Sequence, residues 1–146
     1  MVVKVKKLND KAVIPFKKHD SDFCYDVVAT SCEEIAPNVY RYGIGLAFQI
    51  ERNDVLYYNL SIDFRPRSSV WETGMVLANC TGTIDEDYRG EVSAIFYHLF
   101  PDMPIYKVGD RIGQIKIGAT FPITFLDVDN LDNTGRGNGG FGSTGK

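Results

Sequence analysis

The run "VYRYGIGLAFQI" (Val39–Ile50), followed after "ERND" by "VLYYNLSI" (Val55–Ile62), decides the fold class of this chain. Both runs are rich in β-branched and aromatic residues, and a four-residue polar break between them predicts two strands joined by a short connection. Working outward, "EVSAIFYHLF" (Glu91–Phe100) becomes almost wholly apolar towards its end, as expected of a strand covered on both faces. In "RIGQIKI" (Arg111–Ile117) Ile115 and Ile117 alternate with Gln114 and Lys116, and "ITFLDV" (Ile123–Val128) is expected to close the series of strands. No segment keeps apolar residues at i, i+3, i+4 and i+7 over three turns, so long helices are not expected. Gly, Pro, Asn and Asp punctuate the runs at short intervals, which predicts an all-β, antiparallel sandwich or barrel.

One short helical turn is expected in "RSSVWETG". Ser69 and Glu72 have capping-box spacing, and Gly74 suits a C-terminal stop. Arg67, Ser68, Ser69 and the free N–H groups of a helix start together suit a phosphate. A capped turn with a surface arginine fits the same residues equally well.

The chain has 146 residues, 44% hydrophobic and 24% charged, which suits one soluble globular domain with a real core. Its net charge of −3 provides no broad basic field for nucleic acid or anionic membrane, so neither is an expected partner. Any polyanionic ligand must be held by a few well-placed arginines. The opening "MVVKVKKLND" alternates apolar residues with lysine and lacks the apolar run of a signal peptide or membrane span. Three cysteines (Cys24, Cys32, Cys80) with no C-x-x-C pair predict reduced thiols and a cytoplasmic setting. His19 and His98 have no metal-ligand spacing around them, and His98, inside an apolar run, reads as a satisfied core residue.

Two further stretches carry chemistry. "TGRGNGGFGSTGK" (Thr134–Lys146) matches G-x-G-x-x-G at Gly135, Gly137 and Gly140. A dinucleotide site must follow a strand and open a helix within a βαβ unit, and only six residues remain after Gly140, so the match reflects glycine density alone. "NCTGTIDEDYRGEV" (Asn79–Val92) gathers Asp85, Glu86, Asp87, Arg89 and Glu91 around Tyr88. Charge runs of this kind are usually solvated turns. Here Thr83 and Ile84 form a strand-like approach that aims Asp85, and Gly90 permits a tight turn. A carboxylate fixed on a hairpin can orient and deprotonate water, and a tyrosine ring can pack against a sugar or base.

Five segments in order then give the chain its resemblance to the trimeric dUTPase family: "CYDV" (Cys24–Val27), "PRSS" (Pro66–Ser69), "GTIDEDYRG" (Gly82–Gly90), "GDRIGQ" (Gly109–Gln114) and "RGNGGFGSTG" (Arg136–Gly145). The resemblance implies a distorted jelly-roll-like β-barrel assembled as a homotrimer with shared active sites. The implied reaction is hydrolysis of dUTP to dUMP and pyrophosphate, with Mg²⁺ on the triphosphate. It implies that Asp85 positions the water attacking the α-phosphorus and that Tyr88 lies against the deoxyribose, leaving no room for a 2′-hydroxyl. Asn79 would contact uracil together with backbone from Thr83 and Ile84 to Asp85, and Ser93 would add a backbone contact. Arg67, Ser68, Ser69 and Gln114 would grip phosphates, and Asp26 would act through Mg²⁺-bound water. Arg136 would bind the γ-phosphate and Phe141, with Gly142 and Ser143 beside it, would cover the base.

Three positions depart from the family pattern: Cys24 for glycine, Val27 for leucine and Gly113 for alanine. Two other readings share these residues. A dCTP deaminase of the same fold has a similar "RSS" segment and "GQ" strand but lacks the "IDEDYRG" turn. A nucleotide-sensing regulatory trimer would keep every binding residue. The expected organisation is a β domain over residues 1–133 and a flexible glycine-rich arm over 134–146. Thirteen residues that are nearly half glycine are expensive to order, so the arm is expected to close as a lid only over bound ligand.

Overall fold

A strand persists only where its backbone finds a neighbour, and pairing divides this chain into three antiparallel sheets. A computed structural model gives the fold for residues 1–52 and 58–140. The elements run β1 (Val2–Lys7), β2 (Tyr25–Val28), β3 (Ser31–Ala36), β4 (Val39–Gly43), β5 (Leu46–Glu51), β6 (Asn59–Arg65), a 3₁₀ turn (Ser68–Thr73), β7 (Met75–Leu77), β8 (Gly82–Asp85), β9 (Ser93–His98) and β10 (Arg111–Thr120). One sheet has the order β2-β10-β6-β8, a second the order β3-β4-β9-β7, and β1 pairs with β5 alone. The two larger sheets meet through aromatic side chains. Phe64 of β6 lies 6.4 Å, ring centre to ring centre, from Phe96 of β9, which also packs edge-on against Tyr42 and Tyr106. Such offset and edge contacts are the favoured aromatic geometry. The all-β, jelly-roll-like expectation holds, although among the described residues no continuous ladder closes the sheets into one barrel.

Several strand expectations need correction. The run Val39–Ile50 is two strands, because Gly45 at φ +68° breaks it and lets β5 leave the second sheet to pair with β1. That conformation favours glycine, and a Cβ there would sit 2.6 Å from Asn9 Nδ2. Of Val55–Ile62, the first three residues lie outside the described set, and β6 extends beyond Ile62 to Arg65. β9 is covered on one face only: Ala94, Phe96 and His98 point inward while Ser93 and Tyr97 are exposed. That alternation is usual where an antiparallel sheet has one face in solvent. His98 is a core residue as expected, its Nε2 lying 2.9 Å from the Met103 carbonyl oxygen.

Ile123–Val128 is not a strand. It follows β10 with no strand neighbour among the described residues, and Phe125 is 89% and Leu126 81% exposed. Apolar and aromatic content alone suggested a strand, but the adjacent Phe125 and Leu126 break the alternation that a one-sided ladder would use. The capping box also fails. The 3₁₀ turn is capped by Arg67 with no side-chain cap hydrogen bond, and Ser69 lies inside it, whereas Gly74 ends it at φ +61° as expected.

Gly113, the departure from alanine, has a packing reason. A Cβ there would fall 2.7 Å from Phe64 Cε1 and closer still to Cζ, so the Phe64 ring takes the space of the missing methyl. The β10–β2 register shifts between Arg111 and Gly113, a bulge that re-aims the side chains on either side of it.

Candidate active site

The turn after β8 is built by reciprocal contacts. β8 pairs with β6 so that Gly82 faces Phe64 and Asp85 faces Ser61. The Tyr88 N–H donates to the Asp85 carbonyl at 3.1 Å, closing the turn. The Tyr88 hydroxyl donates to the Glu91 carbonyl at 3.1 Å, laying the ring back over Gly90. A Cβ on Gly90 would lie 2.6 Å from Tyr88 Cζ, so this ring position requires glycine. Glu86 faces away, held by Arg52 through two bonds of 2.5 and 2.6 Å, with the Leu60 N–H adding a third at 3.3 Å. The Arg52 guanidinium holds the Glu86 carboxyl below its ordinary range, chiefly by that hydrogen bonding. The turn is thereby anchored to the start of β6, and Asp85 is left exposed at its corner.

Asp85 and Tyr88 line a pocket of about 220 Å³ together with Asn79, Thr83, Ile84 and Ser93. Phe64, Gly82, Glu91 and Val92 complete its wall. The six residues assigned from sequence to base, sugar and water therefore line one concavity. Asn79 reaches it through a tight bend in which the Thr81 N–H donates to the Asn79 carbonyl at 2.6 Å. Thr81 sits at φ +128°, a conformation that L residues rarely adopt and that costs on the order of 1–3 kcal/mol. Such strain persists where surrounding structure over-determines it, here between β7 and β8.

A second cluster forms around Asp26, which is 6% exposed. Its Oδ2 accepts from Arg111 Nη1 at 2.8 Å and its Oδ1 from Gln114 Nε2 at 3.0 Å, while Arg67 Nε stands 3.5 Å from Oδ1. Arg67 Nη1 also reaches Ser69 Oγ at 3.5 Å, and Ser68 is exposed at the start of the 3₁₀ turn. Asp26, Arg67 and Gln114 are thus brought together as a phosphate-gripping group requires. Arg111 was not among the sequence candidates. It lies inside "GDRIGQ", but plain alternation does not put it on the Gln114 face; the bulge does.

The two clusters do not meet within one chain. Gln114 pairs with Arg65 and Asp85 with Ser61, four residues apart on β6. That is about 13 Å along the strand and about 10 Å across two strand spacings, roughly 16 Å between backbones. Arg136 belongs to neither cluster: it is exposed, and its Nε donates to its own Gly139 carbonyl at 2.8 Å. Phe141, Gly142 and Ser143 lie outside the described residues.

Among the described residues no group of three or more His, Cys, Asp or Glu is arranged to hold a metal ion. Both oxygens of Asp26 already accept from cationic or amide donors. An all-protein cage does not fit, whereas an ion that keeps several waters and takes its main ligands from substrate phosphates does, which is Mg²⁺ behaviour.

Known proteins resemble this chain in sequence and in fold. The family model described as dUTPase matches residues 10–145. The deoxyuridine 5′-triphosphate nucleotidohydrolase of Nautilia profundicola is 35% identical over 148 residues, covering 100% of each chain. That of Helicobacter pylori strain 26695 is 36% identical over 146 residues, covering 99% of this chain and 97% of the relative. Among solved structures, a mutant dUTPase of Staphylococcus bacteriophage 80alpha with dUpNHpp superposes with a TM-score of 0.81 at 21% identity, covering 99% of each chain. A mutant dUTPase of the S. aureus phage phi11, described for its coordination of a structural Mg(II) ion, gives 0.71 at 18% identity, covering 91% of this chain and 100% of that one. With the family model spanning nearly the whole chain, this protein belongs to the dUTPase family.

Proposed function

We propose that this protein hydrolyses dUTP to dUMP and pyrophosphate, supplying dUMP and keeping uracil out of DNA. The observation that carries the reading is the pocket of about 220 Å³ in which Asn79, Thr83, Ile84, Tyr88 and Ser93 surround a concavity with Asp85 at its wall. Uracil enters against Asn79 and the β8 backbone, and Ser93 adds a contact from the start of β9. The Tyr88 ring walls the deoxyribose and excludes a 2′-hydroxyl. Asp85 orients a water towards the α-phosphorus and takes its proton as the P–O bond forms, while pyrophosphate leaves.

Arg67, Ser68, Ser69 and Gln114 hold the phosphates, and Asp26 aligns Arg67 and Gln114 beside phosphate-bound waters. Mg²⁺, when bound on the triphosphate, supplies charge neutralisation at the phosphate oxygens. Positioning and electrostatics are most of what phosphoryl chemistry asks of a protein. Residues 134–146 act as a lid over the 1–133 domain, with Arg136 on the γ-phosphate and Phe141, flanked by Gly142 and Ser143, over the base.

The active unit is a homotrimer. Two observations support assembly: the separation of roughly 16 Å between Asp85 and the Gln114 row within one chain, and the exposure of Phe121, Ile123, Phe125 and Leu126 on a segment that has no strand partner among the described residues. The free thiols of Cys24, Cys32 and Cys80 suit the reducing cytoplasm. Among the described residues no helix is long and apolar enough to cross a membrane.

Asp85→Asn tests the assignment. It should retain nucleotide affinity and lower turnover by about 10²–10⁴. Near-normal pyrophosphate release would remove Asp85 from its role. Release from dUTP, with no deamination of dCTP, separates this reading from a deaminase of the same fold.

A further inference from the structure

The Asp26 cluster carries two guanidinium groups against one carboxylate, and the two are held unequally. Arg111 Nη1 makes a short ionic hydrogen bond of 2.8 Å to Oδ2. Arg67 stands off at 3.5 Å, and its Nε is buried with no hydrogen-bond partner among the described residues. A buried cationic N–H left unpaired is unusual, because it forfeits a strong charge-assisted bond.

The backbone explains the asymmetry. β10 places Arg111 opposite Val28 and Gln114 opposite Asp26, with a register shift between Arg111 and Gly113. The extra residue turns Arg111 onto the face used by Gln114, so two donors of one strand converge on Asp26. The Phe64 ring occupies the space above Gly113 at this irregular step.

We propose that Arg111 is a positioning residue of the phosphate arm. By engaging Asp26, it keeps that carboxylate from closing onto Arg67, and so leaves the Arg67 guanidinium available for a ligand phosphate. Charge at the cluster is then +1, and the cation that is less committed is the one beside Ser69. Without Arg111, Asp26 draws Arg67 into a closed one-to-one pair and the arm loses its free positive charge. Asp26 becomes harmful to phosphate binding once Arg111 is removed. A purely structural role for the pair predicts no such reversal.

The inference rests on the dUTP-hydrolysis reading, and the experiment keeps the two apart. Full-length wild type, Arg111→Gln, Arg111→Lys, Asp26→Asn and the Arg111→Gln/Asp26→Asn double variant are compared. Steady-state dUTP hydrolysis with Mg²⁺ is measured beside equilibrium binding of inorganic tripolyphosphate and of deoxyuridine, which has no phosphate. Arg111→Gln should raise KM for dUTP by about 10-fold or more, the size of one charged hydrogen bond. It should weaken tripolyphosphate binding by a similar factor and leave deoxyuridine binding unchanged. Arg111→Lys should stay within about 3-fold of wild type, since the point charge is kept.

The double variant should recover KM and tripolyphosphate affinity relative to Arg111→Gln, whatever happens to kcat. Multiplicative losses in the double variant, or an Arg111→Gln protein with wild-type KM, would overturn the inference. So would an Arg111→Lys variant as weak as Arg111→Gln, a comparison that stands even if the glutamine variant is unstable and only the double variant folds. A wild-type protein that binds tripolyphosphate with this variant pattern but does not hydrolyse dUTP would sink the functional reading and leave the charge-balance inference standing.

Discussion

Gly90→Ala is a single methyl added beside the sugar-facing ring, and its effect can be worked from distances. The new Cβ would lie 2.6 Å from Tyr88 Cζ, 3.1 Å from Cε2, and closer still to the hydroxyl. Ordinary carbon contacts begin near 3.5 Å, so the ring must retreat by about 1 Å. Gly90 is not in the positive-φ region, so alanine suits the backbone and the conflict is with Tyr88 alone. Tyr88 is 47% exposed, and its ring can swing outward at small cost to folding. The only bond given up is the one from its hydroxyl to the Glu91 carbonyl. A bond of this kind contributes about 0.5–1.5 kcal/mol, an upper limit here because the site is solvated. At roughly 2–4 °C per kcal/mol for a chain of this size, the thermal midpoint should fall by no more than about 6 °C.

Function should suffer more than folding, because a misplacement of about 1 Å in a positioning group can cost up to about 10²-fold. The expected result is a fall of about 10-fold or more in kcat/KM for dUTP. Preference over UTP should shrink by a similar factor, because the displaced ring no longer walls off a 2′-hydroxyl. In a Tyr88→Ala background the same substitution should change neither quantity. Unaltered discrimination between dUTP and UTP in Gly90→Ala, with Tyr88→Ala also discriminating normally, would refute the sugar-wall argument.

Three other outcomes are expected. Gly113→Ala should destabilise the fold by about 1–3 kcal/mol through overpacking against Phe64, and Phe64→Leu in the same chain should relieve part of it; chemical denaturation of the four proteins measures both. Because Arg52 holds the folded-state Glu86 carboxyl below its unfolded value, the stabilisation is present above the ordinary carboxylate range and is lost as pH falls through the lowered value. The stability difference between wild type and Glu86→Gln should therefore be constant near neutrality and shrink in acid; a difference independent of pH would count against the ion pair. Removing residues after Thr134 should lower kcat/KM by about 10²-fold or more, from the combined loss of an arginine–phosphate bond and a buried ring, with an unchanged thermal midpoint and an unchanged number of subunits in solution. Full activity of the shortened chain would refute the lid.

That Thr83, Ile84, Asp85 and Tyr88 would share one pocket was legible from local pattern and motif because they follow one another closely. Thr83, Ile84, Asp85 and Tyr88 belong to one strand and its turn, and neighbours in sequence remain neighbours in space. Gly74 was legible for a similar reason, since a left-handed stop is a local conformation. His98 read correctly because an apolar run implies burial without specifying a partner. Arg111 was missed because its meaning lies in a bulge between β10 and β2, strands 80 or more residues apart in the chain. The capping box at Ser69 and Glu72 failed although its spacing is right, since the chain adopts a 3₁₀ turn that begins two residues earlier, at Ser68 with Arg67 as its cap.

By itself the amino-acid sequence determined the all-β class, the alternating faces of β10 from Gln114 to Ile117, and the types of group available to a site. These depend on period-2 alternation and on the chemistry of side chains, which are properties of short segments. Tertiary structure alone decided where the run Val39–Ile50 changes sheets, that Ile123–Val128 finds no strand partner among the described residues, and that Asp26 binds Arg111 more closely than Arg67. A ladder or an ion pair needs two segments brought together from far apart in sequence, and no one segment states which partner it will meet.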